Sequence, residues 1–305
     1  MTGVVTFVMA VWKPRPDWLR HAVRSVLEQR DCDLELIVVD DGCPEPVAPL
    51  LAEIEDERLQ VLRIEHGGEC AARNAGIAAA RGDRFRFVDA DDVLEPGSTA
   101  RLERLLGGDD RVIAYGATMF CDHELRPLWK LTCRVQGEAR EECLLGRLTV
   151  RPFSLLFPRA VVEATGEWDS AFRVGQDWDY ILRALEHARV RGETQVATFY
   201  RKHPAAATAD VGGGDQGGRR VLEKYFGRHP EQRGTDLERK AEARLQAVLA
   251  RAHATHGQPA EAARRLVKAV RLDPRAVVTE ARLALPALGG TARARVTRRA
   301  ENDGV

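Results

Sequence analysis

Phe87-Val88-Asp89-Ala90-Asp91-Asp92-Val93 decides how this chain is read. Immediately before it, residues 84–88 alternate charge and apolar bulk as Arg-Phe-Arg-Phe-Val, a strand pattern that runs straight into three carboxylates. Aspartate is depleted inside strands, so such a cluster marks the loop at a strand's end. Asp89 and Asp91 are two residues apart, and both can approach one point as the chain leaves a sheet. Oxygen donors of this kind suit Mg²⁺ or Mn²⁺, which are commonly held by one or two carboxylates plus phosphate oxygens. An isolated pair at this spacing is more often a solvated acidic turn, here ahead of a helix after Pro96 and Gly97. The neighbouring segments turn that reading round.

Working outward toward the N-terminus, residues 4–10 and 34–39 are short apolar runs that read as buried strands, the second ending in Asp40-Asp41-Gly42. Between them Leu19, Ala22, Val23, Val26 and Leu27 recur at helical spacing, giving a helix to about residue 29. A helix over 47–54, a strand over 59–64 and an alanine-rich helix over 70–80 follow, the last opened by Gly67-Gly68 and closed by Gly82. Apolar strands alternating with helices predict an α/β fold, with a mostly parallel, Rossmann-like sheet covered by helices on both faces. Ligands in such sheets sit at the carboxyl ends of the strands. Asp40-Asp41 and Asp89–Asp92 should therefore share one rim.

Composition narrows the class. The 305 residues are 44% hydrophobic and 30% charged, and 46 Lys+Arg balance 46 Asp+Glu, so no global charge points to nucleic acid. No apolar run approaches the ~20 residues needed to span a bilayer. No basic flank or small-residue cleavage site precedes the first strand, so no signal peptide is expected. Six cysteines without a Cys-x-x-Cys pair fit reduced thiols in a cytoplasmic protein.

Beyond Asp109 the pattern loosens. Strands are expected over 111–118, 128–131, 153–157 and 195–200, and helices over 138–145 and from Tyr180 to about residue 189. The glycine-dense run 212–218 reads as a lid or a linker. From Thr235 the chain becomes helical and Ala/Arg/Leu/Glu-rich. One stripe is Leu245, Val248, Leu249 and Ala252; a second is Ala260, Ala263, Leu266, Val267 and Val270. The pair resembles one tetratricopeptide-type hairpin, which cannot stand alone and is expected to pack on the main domain or to offer a protein contact. Arg293, Arg295, Arg298 and Arg299 form a tail suited either to an anionic membrane face or to a solvated, disordered end. The expected units are 1–110, 111–230 and a helical extension over 231–305.

Four segments stand in order: residues 4–12, Val38-Val39-Asp40-Asp41-Gly42, Gly67-Gly68-Glu69-Cys70-Ala71-Ala72-Arg73-Asn74-Ala75-Gly76, and Phe87-Val88-Asp89-Ala90-Asp91-Asp92. Together they resemble the nucleotide-sugar-binding half of the family-2 inverting glycosyltransferases, which have the GT-A fold. Gly175-Gln176-Asp177-Trp178-Asp179 looks like that family's acceptor-side segment, and Tyr200-Arg201-Lys202-His203-Pro204 like another family feature. The resemblance covers roughly residues 1–205 and implies hexosyl transfer from a nucleotide-sugar donor, UDP-linked, to a carbohydrate, lipid-linked or small-molecule acceptor. It implies donor contacts from Ala10, Trp12, Asp40, Asp41, Arg73, Asn74, Asp89 and Ala90. A divalent Mn²⁺ or Mg²⁺ would be held by Asp91 with Asp89, and His203 would reach metal or diphosphate.

Within that frame Asp41 is matched to the base's ring N–H and Asp40 to shaping the turn. Arg73 suits a phosphate or an ion pair, and Asn74 a sugar or a backbone group. Asp92 caps or positions. Asp177 is the candidate catalytic base, taking the acceptor's proton. Gln176 stands where the family commonly has Glu, and it and Trp178 would face the acceptor, unless Trp178 packs in the core. Asp179 reads as a residue of the helix's first turn. A dinucleotide oxidoreductase is disfavoured because Val11-Trp12-Lys13-Pro14 has no Gly-x-Gly-x-x-Gly, and a sugar nucleotidyltransferase because no basic glycine loop follows the first strand. A catalytically silent scaffold acting through the helical tail is the remaining alternative.

Overall fold

The computed structural model describes residues 3–203 and 211–282. Four strands, β1 (Val5–Val11), β2 (Leu34–Asp40), β3 (Leu59–Arg63) and β4 (Arg84–Asp89), pair in parallel in the order β3-β2-β1-β4. Between them run α1 (Pro16–Leu27), a 3-10 turn over Ala48–Leu51, and α2 (Glu69–Ala79). Strand side chains alternate between faces. Phe7, Met9, Leu36 and Val38 pack with Leu19, Val23 and Val26 of α1, whereas Ile37 and Val39 meet Ala72 of α2 on the other side. Every residue of β2 is accordingly buried, and apart from Glu35 it is apolar up to Asp40. Gly76 lets α2 sit close: a Cβ there would stand 2.3 Å from Val8 Cγ1.

The register fixes the rim. Val11 lies opposite Asp40 on one side, and Ala10 lies opposite Asp89 on the other. Both acidic strand ends therefore flank the end of β1, as the alternation of strands and helices implied.

The second half brings antiparallel pairing. It contains β5 (Val93–Leu94), α3 (Ser98–Leu106), β6 (Val112–Cys121), β7 (Pro127–Leu131), α4 (Arg140–Leu144), β8 (Leu155–Pro158), α5 (Arg159–Thr165), α6 (Gln176–Ala184) and β9 (Arg189–Arg201). The sheet runs β3-β2-β1-β4-β8-β6-β9-β5, with β7 on β6. β8 is antiparallel to both β4 and β6, and so stitches the two halves together. Next come α7 (Val211–Arg228), α8 (Asp236–Thr255) and α9 (Pro259–Leu272), and residues 274–282 are helical as well.

Several local expectations change. The helix over 47–54 shrinks to the 3-10 turn, in which the amides of Leu50, Ala52 and Ile54 each donate to the carbonyl three residues back. The helix expected to reach residue 189 ends at Ala184, where Glu186 and His187 donate to carbonyls three residues back and tighten the turn. The run 212–218 is helical, forming the start of α7. Its glycines serve close packing, since a Cβ on Gly217 would meet Val174 O at 2.0 Å and one on Gly218 would meet Leu245 Cδ1 at 2.4 Å. Leu245 and Leu249 of α8 do join the main core. The α9 stripe does not. Ala269 packs instead with Ala243 and Ala247 of α8, because small side chains allow the two helices to approach on that side. The arginine-rich tail lies outside the described residues.

Candidate active site

At the end of β4 the acidic loop folds back on itself, with Asp92 N donating to Asp89 O at 3.2 Å. Asp89, Asp91 and Asp92 each offer a carboxylate oxygen, and these atoms lie within 4.8 Å of one another. Asp92 is fully buried. One of its oxygens accepts the Arg201 amide at 2.9 Å, and the other has no partner among the described residues. Arg201 also donates from Nε to Asp91 O at 2.9 Å and stacks on Trp18. His203 Nε2 lies 2.7 Å from Asp91 Oδ2, so His203 touches the trio through Asp91.

Crowding shows in the acidities. Burial pushes the Asp89 carboxyl up to about 8; the Arg73 charge opposes this, while Glu69, Asp91 and Asp177 reinforce it. Asp92 is also held above the ordinary carboxylate range, by burial and then by Asp89 and Asp91. Three converging carboxylates, one with an orphaned buried oxygen, could hold a divalent cation, and their oxygen chemistry suits a hard ion such as Mg²⁺ or Mn²⁺.

Arg73 lies beside this loop on α2 and is only 3% exposed. Its guanidinium contacts Glu69 at 2.5 Å, Asp89 at 3.2 Å and Asp177 at 3.0 Å. It stacks 4.3 Å above Trp168, whose ring in turn stacks on Tyr180. Burial lowers the Arg73 pKa, but the surrounding carboxylates more than reverse that and raise it. Asn74 is committed to backbone: its amide donates to Trp168 O at 2.9 Å and accepts from Trp168 N at 2.8 Å.

Asp177 sits in the first turn of α6, entered through Gly175 at φ +94°, and is 38% exposed. Gln176 donates to Glu69 Oε2 at 3.1 Å. Trp178 packs against the core and donates its indole N–H to Cys143 O at 3.3 Å, so core packing rather than an acceptor-facing ring describes it. Asp179 is buried and ion-paired with Arg183 at 2.8 Å and Lys224 at 3.0 Å, which makes it structural.

At the other side of the rim, Asp40 shapes the turn. Its carboxylate accepts the amides of Cys43 (2.8 Å) and Val47 (3.0 Å) and pairs with Arg63 (2.6 Å). Burial raises its pKa, but those bonds outweigh burial and hold it below the usual value. Asp41, 2% exposed, accepts the amides of Gly67 at 2.8 Å and Gly68 at 3.0 Å. His66 Nδ1 lies 2.8 Å from Asp41 Oδ2, and its ring stacks on Trp12 with centroids 3.9 Å apart. Trp12 is 42% exposed. Ala10 and Ala90 line the base of the rim, packed against the apolar layers beneath.

Reasoning from sequence did not single out Glu69, Trp168, His66, Trp18 or Arg201 individually. Glu69 and Arg201 stood inside quoted motifs. His66 had only its place before Gly67 as a signal, and Trp18 and Trp168 had none that could be read without the fold.

Comparison with known proteins bears on this geometry. A family model described as "Glycosyl transferase family 2" matches residues 6–162, about half of the chain. The chain is 31% identical over 200 residues to the succinoglycan biosynthesis protein ExoO of Rhizobium meliloti, covering 59% of this chain and 55% of that protein. It is 27% identical over 246 residues to the O-antigen biosynthesis protein RfbC of Myxococcus xanthus, 75% of this chain and 18% of that one. It thus spans about half, or less, of the length of these relatives. Among solved structures, S. aureus TarS 1–349 is similar, with a TM-score of 0.59 at 12% identity over 100% of this chain and 92% of that one. At that identity the likeness concerns the fold.

Proposed function

Starting from the fact that the chain belongs to glycosyl transferase family 2, we propose that it transfers a sugar from a nucleoside diphosphate donor, UDP-linked, to an acceptor nucleophile with inversion. The acceptor belongs to a cell-surface glycan or a glycosylated natural product. The observation that carries this reading is the bridge made by Arg73, which joins the acidic trio to Asp177 across the rim.

Asp89 and Asp91, joined by Asp92, would hold Mn²⁺ or Mg²⁺, with His203 steadying Asp91. The ion, when bound, neutralises charge on the departing nucleoside diphosphate. Arg73 supplies fixed positive charge beside the same phosphates. Asp177 is exposed enough to meet an acceptor and takes its proton as the new bond forms. Glu69 and Gln176 keep α2 and α6 in register around it.

The nucleobase belongs at Trp12. His66 stacks on that ring and reaches Asp41 Oδ2, which are the two contacts a uracil ring needs: a stacking face and an acceptor for its ring N–H. A uracil displacing His66 keeps both.

Titration with UDP and with GDP, each with and without Mn²⁺ and followed by thermal shift, tests the reading. UDP with Mn²⁺ raises the melting temperature, since selective binding to the folded state stabilises it. A GDP-only shift overturns the base assignment. No shift with either nucleotide overturns the donor site and favours a silent scaffold.

A further inference from the structure

Helix α9 carries its largest apolar side chains outward. Leu266 is 42% exposed, Val267 49% and Val270 47%, and Val278 on the following helix is 51% exposed. With exposed Ala263 they form a stripe at helical spacing. Arg264, Lys268 and Arg271 stand along one border of that stripe, and with Ala263 and Val267 they line a shallow depression. The opposite side of α9 is occupied: Ala269 is buried against α8, and Arg265 pairs with Asp215 of α7 at 2.6 Å. Two of the three border cations already have carboxylate partners, which leaves Arg271 as the unpaired one among the described residues. Glu261 pairs with Arg264 and Arg265, Glu242 with Lys268, and Glu280 is buried against Arg244 and Arg251. The Arg271 and Arg275 side chains have no carboxylate partner among the described residues.

An exposed apolar stripe with a cationic border has the chemistry of an interfacial helix. Its apolar side chains enter the boundary between headgroups and acyl chains, and its cations meet lipid phosphates. Self-association fits less well, because antiparallel two-fold pairing of this face sets each cationic border against its own copy. We propose that this face of α9 docks the protein on a bilayer rich in anionic lipid headgroups.

The test is co-sedimentation of the full 305-residue chain with vesicles of phosphatidylcholine alone or mixed with phosphatidylglycerol. Binding to the mixed vesicles is expected, weakening as salt rises from about 0.05 to 0.5 M. Each cation removed should cost about fivefold in partitioning. Val267→Glu with Val270→Glu should abolish sedimentation while leaving the melting temperature unchanged, since both side chains are exposed. Should that double variant melt early, Arg271→Ala with Arg275→Ala, which removes the two unpaired cations, decides the matter through the loss in partitioning. Three results overturn the proposal: no binding to the mixed vesicles, binding that survives these variants and so belongs to the arginine-rich tail, or a concentration-dependent self-association that Val267→Glu and Val270→Glu remove. No nucleotide or sugar enters the assay, so the outcome is independent of the transfer reading.

Discussion

Arg73 and Asp177 are 104 residues apart in sequence, yet Arg73 donates to the Asp177 carboxylate at 3.0 Å. One comes from the second turn of α2 and the other from the first turn of α6, so the two halves of the chain meet at this ion pair. The same guanidinium also reaches Asp89, so one buried cation contacts both the candidate base and the candidate metal loop.

Arg73→Gln removes a buried cation from three carboxylates. Breaking such a cluster from one side costs about 3 kcal/mol, because the remaining charges lose their compensation. Arg73→Lys keeps the charge but not the planar fork, so stability recovers in part while sugar transfer stays low. Urea denaturation and a transfer assay on both variants check this. A Lys variant with full activity would show that charge alone matters at this position.

The acidic loop gives the protein a pH signature. Asp89 is raised from 3.8 to about 8, so the folded state binds this proton more tightly than the unfolded chain does. Stability from this group is fullest below the unfolded value and declines as pH rises toward 8. A divalent cation relieves the repulsion and must displace the proton. The rise in melting temperature on adding Mn²⁺ is therefore expected to be larger at about pH 8.5 than at about pH 6. Asp89→Asn should erase the difference, and a Mn²⁺ shift independent of pH in the native protein would count against the site.

His66 occupies the place argued for the base, which makes it a competitor. His66→Ala should tighten UDP binding about two- to fivefold by removing the side chain that must first move aside, without changing the bound contacts. Isothermal titration measures this directly. Weaker binding would make His66 a ligand instead.

Much of this arrangement was legible in the sequence because strand periodicity and rim geometry are local rules. Residues 34–39 and 84–88 announced their strands, and the parallel order then put Asp40 and Asp89 on one edge. What remained illegible depends on distant packing. No spacing rule reveals that Asn74 clamps Trp168, that Asp41 is engaged by Gly67 and Gly68, or that Trp178 turns into the core. The glycines at 212–218 misled because glycine favours loops in general, whereas here their missing side chains admit Val174 and Leu245. The stripe on α9 looked like a packing face because periodicity reports amphipathicity and not what covers it.

The central claim is that Asp177 acts as base at a donor site built around Asp89 and Asp91. Hydrolysis of UDP-sugars with Mn²⁺ present, in which water accepts the sugar and UDP is released, is measured for the native protein and for Asp177→Asn, alongside UDP affinity for both. Release by the native protein is expected, with a fall of about 10²–10⁴-fold in the variant and little change in UDP affinity. Equal release by both would remove Asp177 from the chemistry, and absent UDP binding by the native protein would contradict the donor assignment itself.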